Sequence, residues 1–221
     1  MAGSACLVHA TDELPLEAGL VGWRFLGKAQ TELSLPETWQ LQDDGRLTCT
    51  GEPTGFLVSP REYENFVLEL QWRWPEGTTA GNSGVLVSTI PAMEGFEIWP
   101  NSIEIQLAFG NAGEIYTLGR RTSFRTEGKV WKPMGIPVVH VDTHASAGTS
   151  FEKPAGQWNA LKLIFVEGVL SVHINGVEVN RLMDVRPSRG KVALQSEGGA
   201  IEFREIRLRA AASQTDNSAS D

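Results

Sequence analysis

The chain has 221 residues, with 19 Lys and Arg against 27 Asp and Glu and a formal net charge of −8. That balance lacks the basic face a phosphate backbone requires, so no nucleic-acid partner is expected. Two cysteines, Cys6 and Cys49, exclude a disulfide framework and any CxxC metal or redox motif; one bridge is open, which spacing does not decide, and two buried or idle thiols are the expectation. No apolar stretch approaches a transmembrane span, so no membrane partner is expected either. The N-terminus has no basic region and only a short apolar run. Read as written it predicts a cytoplasmic protein, and an exported one if a leader has been trimmed.

Residues 1–20 read as a lead-in strand or extension, 21–209 as a single domain, and 210–221 as a small, polar, disordered tail. With 23 Gly and 11 Pro, the body favours turns over long helices. Ser59–Glu64 reads as a short helical turn. From Phe66 to Trp74, Phe66, Leu68, Leu70, Trp72 and Trp74 share one face and Glu69, Gln71 and Arg73 the other, the period of a half-buried strand. Gly84–Ile90 is a more continuously apolar strand. Ser102–Phe109 alternates again, with Glu104 and Gln106 opposite Ile103, Ile105 and Leu107. Gly110–Ser150, rich in Gly, Thr, Pro and His, reads as long loops over one face.

Further on, Trp158–Glu167 and Val169–Ile174 read as strands joined at Glu167-Gly168, and Asn175-Gly176 is a type I′ hairpin signal leading into Val177–Asn180. Lys191–Ser196 and Ala200–Leu208 form a further candidate pair around Gly198-Gly199. Many short antiparallel strands and no sustained helical period predict an all-β fold, a sandwich or jelly roll of two antiparallel sheets.

Phosphate-loop, dinucleotide, zinc-protease and serine-hydrolase signatures are absent. What remains are polar residues on strands whose opposite face is apolar. Glu69, Gln71 and Arg73 are one such set, for which a solvated outer face is the plain alternative; Glu104 and Gln106 are another. If adjacent strands converge on a concave sheet, Arg73 beside Glu104 would hold an ionised carboxylate. Asn82 and Ser83 supply amide and hydroxyl groups at a tight bend. Paired carboxylates serve glycoside cleavage, and Glu197 is the second carboxylate to watch, although a charge at a hairpin end is its simpler explanation. His140, Asp142 and His144 would share a strand face and are candidate metal ligands, while histidines in a loop are more often neither ligand nor acid. Trp99, Trp131 and Tyr116 are candidate sugar-stacking residues; Trp23, Trp39, Trp72 and Trp158 are candidate core members.

The order of short motifs is informative where each alone is not. Gly22-Trp23, Gly55-Phe56-Leu57, Leu70-Gln-Trp-Arg73, Gly81-Asn82-Ser83-Gly84, Glu104-Ile-Gln106, Gly113-Glu-Ile-Tyr116, Gly156-Gln-Trp158-Asn159, Leu194-Gln195 and Phe203-Arg204-Glu205-Ile206 follow one another in a series. From Val21 to Arg209 this series resembles the 3-keto-disaccharide hydrolase domain family. The resemblance implies a concanavalin A-like jelly-roll β-sandwich and activity on glycosides oxidised at C3. It places recurrent polar positions at Arg73, Asn82, Ser83, Glu104, Gln106 and Gln195. Two positions depart from it: Glu197 stands where the family commonly has His, and Glu205 where it commonly has Asn.

A ketone at C3 acidifies the C2 proton, so a base can remove it and expel the C1 oxygen, and hydration of the enone completes a net hydrolysis. On that expectation Glu104 is the base or its orienter, Arg73 and Asn82 stabilise the enolate oxygen, Gln106 and Gln195 hold hydroxyls, and Glu197 is the acid. No cofactor is required, although a divalent metal can take the place of the arginine. The rival expectations are a non-catalytic carbohydrate-binding module, which needs exposed aromatic platforms but no perturbed carboxylate, and a plain interaction domain with a flat polar face.

Overall fold

Two eight-stranded antiparallel sheets face each other across a core rich in Trp, Phe and Leu. The computed structural model describes residues 19–78, 80–132, 134–142 and 151–211. With strands numbered in chain order, the front sheet runs β1 (Arg24–Leu26), β4 (Gly55–Tyr63), β15 (Gly190–Ser196), β6 (Gly84–Phe96), β7 (Trp99–Gln106), β8 (Ile115–Leu118), β11 (Val138–Val141) and β10 (Val130–Trp131). The back sheet runs β2 (Trp39–Leu41), β3 (Leu47–Cys49), β16 (Ile201–Ala210), β5 (Phe66–Arg73), β12 (Asn159–Val166), β13 (Val169–Ile174), β14 (Val177–Arg186) and β9 (Ser123–Arg125). The α-helix among the described residues is a single turn, Leu35–Thr38. None of these helices is long and apolar enough to cross a membrane.

The back sheet obeys simple alternation. On β5, Phe66, Leu68, Leu70 and Trp72 are buried, while Val67, Glu69, Gln71 and Arg73 sit half-exposed on the outer face. Trp39 stacks on Phe203 at 6.2 Å and Phe66 meets Phe165 edge-on at 5.7 Å. Each such side chain, fully buried, contributes roughly 1.5–3 kcal/mol. Trp23, Trp39 and Trp72 are core members as expected. Trp158 is not: it is half-buried with two guanidinium groups over its ring, Arg73 4.5 Å and Arg204 4.1 Å from the ring centre.

The middle of the front sheet is buried on both faces. Every residue of β7 is buried, with Ile103 and Ile105 in the intersheet core. A second apolar cluster covers the outer face: Leu26, Phe56, Val58, Leu86, Trp99, Leu118, Val138 and Ala193, with Phe96, Ile98 and Tyr116 packed against it. Phe96, Ile98 and Trp99 belong to the turn of the β6–β7 hairpin, so the tip of that hairpin closes over the face of its own sheet. The Trp99 ring lies 6.4 Å from Phe56.

Four sequence expectations are corrected here. Ser59–Glu64 is strand through Tyr63, because β4 continues along β15 as far as Gly190. The segment from Gly110 contains β8, β9, β10 and β11 rather than loops alone; their brevity and interleaved turn residues hide the alternation. β15 and β16 do not form a hairpin: β15 pairs with β4 and β6 in front, β16 with β3 and β5 behind. The Gly198-Gly199 link between them crosses from one sheet to the other. Several strands also outrun their expected ends, notably β6, which spans 13 residues. Cys49 is a free, buried thiol that burial pushes up to about 11. Cys6, the expected lead-in segment as far as residue 18 and the expected tail from residue 212 lie outside the described residues.

Candidate active site

The polar residues on the outer face of the front sheet are placed by strand register. Moving across the sheet, Ala193 pairs with Leu86, Leu86 with Glu104, Glu104 with Tyr116, Tyr116 with His140, and His140 with Trp131. Directly paired residues of antiparallel strands point to the same face. Alternation then brings Gln106, two residues beyond Glu104, to the same face.

Glu104 is the chemical centre of this row. It is 5 % exposed, flanked by Leu86 on one side and Tyr116 on the other. Burial pushes its carboxyl up to about 8, and the charge of Glu197 pushes the same way. Gln195 lies close enough to draw it back partway, yet both polar ends of this fully buried carboxamide lack a hydrogen bond of full geometry. Gly84 creates the room for this arrangement. A methyl group in its place would stand 2.4 Å from Gln195 Oε1 and 3.1 Å from Glu104 Cγ, closer than packed atoms approach.

Glu197 joins the site from the link that follows β15, where its backbone bridges to Asn82. Burial, and then the charge of Glu97 in the hairpin turn, push its carboxyl up to about 7. Glu97 carries no sequence signal, because only the fold of the β6–β7 hairpin brings it near. Burial thus lifts both carboxyls toward neutrality, and the Glu197 charge adds to the lift on Glu104.

Other expected site residues have structural duties. Ser83 is fully buried and donates to the Gln195 carbonyl at 2.8 Å, fastening β15 in place. Gln106 Oε1 accepts from the backbone of Leu107 at 2.9 Å and Ala108 at 2.8 Å, clamping the turn after β7. Asn82 Oδ1 is buried without a partner, so it can still accept a bond. Trp99, at 6 % exposure, is a packing residue rather than a sugar platform. Trp131 is 62 % exposed at the far end of the row.

Arg73 is not beside Glu104. It lies on the back sheet, where its Nε donates to Glu202 Oε2 at 2.6 Å and its guanidinium covers Trp158. The two sheets present opposite outer faces, and sequence alternation alone cannot say which sheet a strand joins. Arg73→Ala is therefore expected to leave any turnover within about two-fold of wild type and to cost on the order of 1 kcal/mol of stability, since Arg46 still pairs with Glu202 at 2.7 Å. Parallel activity and urea-unfolding measurements check both halves of that expectation.

Around Tyr116 a second polar group assembles. The Tyr116 hydroxyl donates to Glu114 Oε2 at 3.1 Å, and its ring stacks on His140 at 4.4 Å between centroids with a 9° interplanar angle. Burial, and then the Glu114 charge, raise the phenol above its usual range, so it remains a donor. His140 Nε2 lies 3.0 Å from Glu114 Oε2 and 3.4 Å from Asp142 Oδ1. Of the expected ligand run, His140 and Asp142 are thus together, while His144 lies outside the described residues. Glu114 was missed; two residues before Tyr116, it would have been found had Glu114–Leu118 been read as an alternating strand.

A separate open cleft lies elsewhere on the fold, with Phe124, Arg125, Val130, Lys132, Val139 and Met183 in its wall. It contains neither Glu104 nor Glu197.

Solved structures with the same fold come from several kinds of carbohydrate protein. A protein from Parabacteroides distasonis described as a candidate glycosyl hydrolase is 24 % identical, covers 85 % of this chain and 98 % of its own, and superposes with a TM-score of 0.56. The carbohydrate-binding module CBM66 from Bacillus subtilis is 12 % identical, with 86 % and 96 % covered and a TM-score of 0.58. The carbohydrate recognition domain of Emp46p is 15 % identical, with 91 % and 97 % covered and a TM-score of 0.55. At these identities the likeness establishes the β-sandwich and not the activity. No curated protein sequence matches the chain. The family described as the 3-keto-alpha-glucoside-1,2-lyase-like domain does match, over residues 17–209, and the order of motifs agrees with it. The chain is a carbohydrate-related β-sandwich that belongs to the 3-keto-α-glucoside-1,2-lyase-like domain family.

Proposed function

We propose that this protein cleaves glycosides carrying a ketone at C3 of the sugar, with Glu104 and Glu197 as the proton-transfer pair. The observation that carries the reading is two largely buried carboxyls, Glu104 and Glu197, both lifted toward neutrality, with the charge of Glu197 acting on Glu104. The deeper burial of Glu104 supports roles in reverse of the sequence expectation. Glu197, the less buried of the two, is the base that takes the C2 proton. Glu104 holds its proton to about 8 and gives it to the departing C1 oxygen as the C1–O bond breaks. The product is an enone with a C1–C2 double bond, together with the free alcohol. Addition of water across that double bond, hydroxyl to C1 and the proton held by Glu197 to C2, with the water's other proton returning to Glu104, restores the pair. The sum is hydrolysis. Asn82, whose Oδ1 has no partner, is the acceptor for a sugar hydroxyl, and the Tyr116 ring beside Glu104 is a surface the sugar can lie on.

The test is incubation with a 3-keto-disaccharide, following enone absorbance and released sugar, with and without added divalent metal. Wild type is expected to release sugar, and Glu197→Gln to lose at least about 100-fold in kcat. No release by wild type under either condition removes the enzyme reading. The second reading, a sugar-binding module, is favoured by the exposed Trp131 at the end of the row. Saturable binding of a 3-keto-disaccharide without turnover would establish it.

A further inference from the structure

We infer that Glu114, His140 and Asp142 form a binding site for one divalent transition-metal ion. The three side chains each turn one ligand atom into a space where all three atoms lie within 4.8 Å of one another. Ligands held about 2.0–2.2 Å from one ion, at the angles of a tetrahedron or octahedron, stand roughly 3.0–3.5 Å apart. The His140–Glu114 and His140–Asp142 separations, 3.0 Å and 3.4 Å, are edges of that size.

Register supplies an independent argument. Ile115 pairs with Val141 on β8 and β11, so one step further out Glu114 faces Asp142. Two carboxylates directly opposite each other on neighbouring antiparallel strands repel and destabilise the pairing. In a chain of net charge −8, a cation between them removes that cost. The stacked Tyr116 ring fixes the plane of His140, and the Tyr116 hydroxyl fixes Glu114, the supporting arrangement that orients metal ligands.

The donor set selects the ion. One imidazole nitrogen with two carboxylates suits zinc, cobalt or manganese better than calcium or magnesium, which prefer all-oxygen cages. Three protein ligands leave coordination positions open. Asp142 is the most exposed of the three, so those positions face outward. Tyr116 pairs with both Glu104 and His140, which sets the ion about two strand spacings, roughly 10 Å, from Glu104. A pyranose lying over Tyr116 would reach both; that last step rests on the proposed function, whereas the ion site does not.

The test uses the full chain, stripped with a chelator and titrated by calorimetry with Co²⁺ and Zn²⁺ in the absence of any sugar. About one equivalent is expected to bind, with cobalt giving a visible absorption band. Glu114→Gln and His140→Ala are each expected to weaken binding at least 10-fold, while Asp44→Asn on the far surface leaves it unchanged. Absence of stoichiometric binding, or a His140→Ala protein that binds as tightly as wild type, overturns the site. Should His140→Ala fail to fold, Asp142→Asn at the exposed ligand decides between the same two outcomes. Because no substrate is present, loss of metal binding and loss of glycoside cleavage are separate results.

Discussion

Replacing Glu104 with Gln is expected to lower turnover of a 3-keto-disaccharide by about 1,000-fold or more and, at the same time, to make the fold more resistant to alkaline pH. The first effect follows from removing the proton that the leaving oxygen must receive, while keeping the side chain's size. The second follows from linkage. In the unfolded chain a glutamate loses its proton near 4.3, whereas in the folded protein Glu104 keeps it to about 8. Between those values the native state holds more protons than the unfolded state, so stability falls as pH rises, by up to about 1.4 kcal/mol per pH unit for this one group. The stabilising contribution is complete below about 4.3 and is lost once pH has passed about 8. Glu197, raised to about 7, slopes the same way over a narrower window. Gln has no proton to lose, so the variant's thermal midpoint should decline less than wild type's between pH 5 and pH 9. Parallel midpoint curves for the two proteins would show that Glu104 ionises freely and is not the buried acid.

The largest loss of stability is expected at a residue with no side chain. Gly51 has φ near +85°, which L side chains rarely adopt, and a Cβ there would lie 2.3 Å from the backbone nitrogen of Gly199 and 2.5 Å from its oxygen. Backbone cannot swing aside as a side-chain tip can. The neighbouring Gly198 N–H also donates to the Gly51 carbonyl at 2.8 Å, so the two segments are pinned where they touch. Gly51→Ala is therefore expected to cost about 3 kcal/mol or more, combining strain at positive φ with a backbone clash. Because Glu197 sits in the same link, the variant should also lose activity at temperatures where it remains folded. Urea unfolding of Gly51→Ala beside Gly45→Ala, another glycine of positive φ but with open space around it, separates the clash from the strain.

What could be read beforehand depended on where each residue's information lies. Strands with a clean period of two, such as β5, β12 and β13, were legible nearly to their ends, because one face meets the core and the other meets water. β7 was legible only in part. With both of its faces covered, the alternation that marks Glu104 and Gln106 distinguishes two kinds of buried surface rather than inside from outside. The same difficulty misplaced Arg73. A polar residue alternating with apolar ones looks alike on either sheet, and strand order, which decides the matter, is a property of the whole chain. Trp99 was misjudged for a related reason: beside Pro100 and Asn101 it resembles a loop indole, yet the hairpin it terminates folds onto its own sheet. Glu104 and Gln195 stand out in the sequence because they sit inside the ordered set of motifs, whereas Glu197 stands out as a departure from it. Glu97 and Glu114 were not, since their contacts come from a hairpin turn and from the register of a four-residue strand.

The order of strands has a consequence for how the molecule comes into being. β15 sits between β4 and β6 in one sheet, and β16 between β3 and β5 in the other. The last two described strands thus fill the middle of both sheets, and without them each sheet would be two fragments with open edges. Contacts that join distant parts of a chain form slowly, on a scale of milliseconds to seconds for sandwiches of this kind. Gln195 and Glu197 travel with the segment that closes both gaps. The two carboxyls can therefore come together only once β15 lies between β4 and β6, so any change that loosens that strand also takes the site apart.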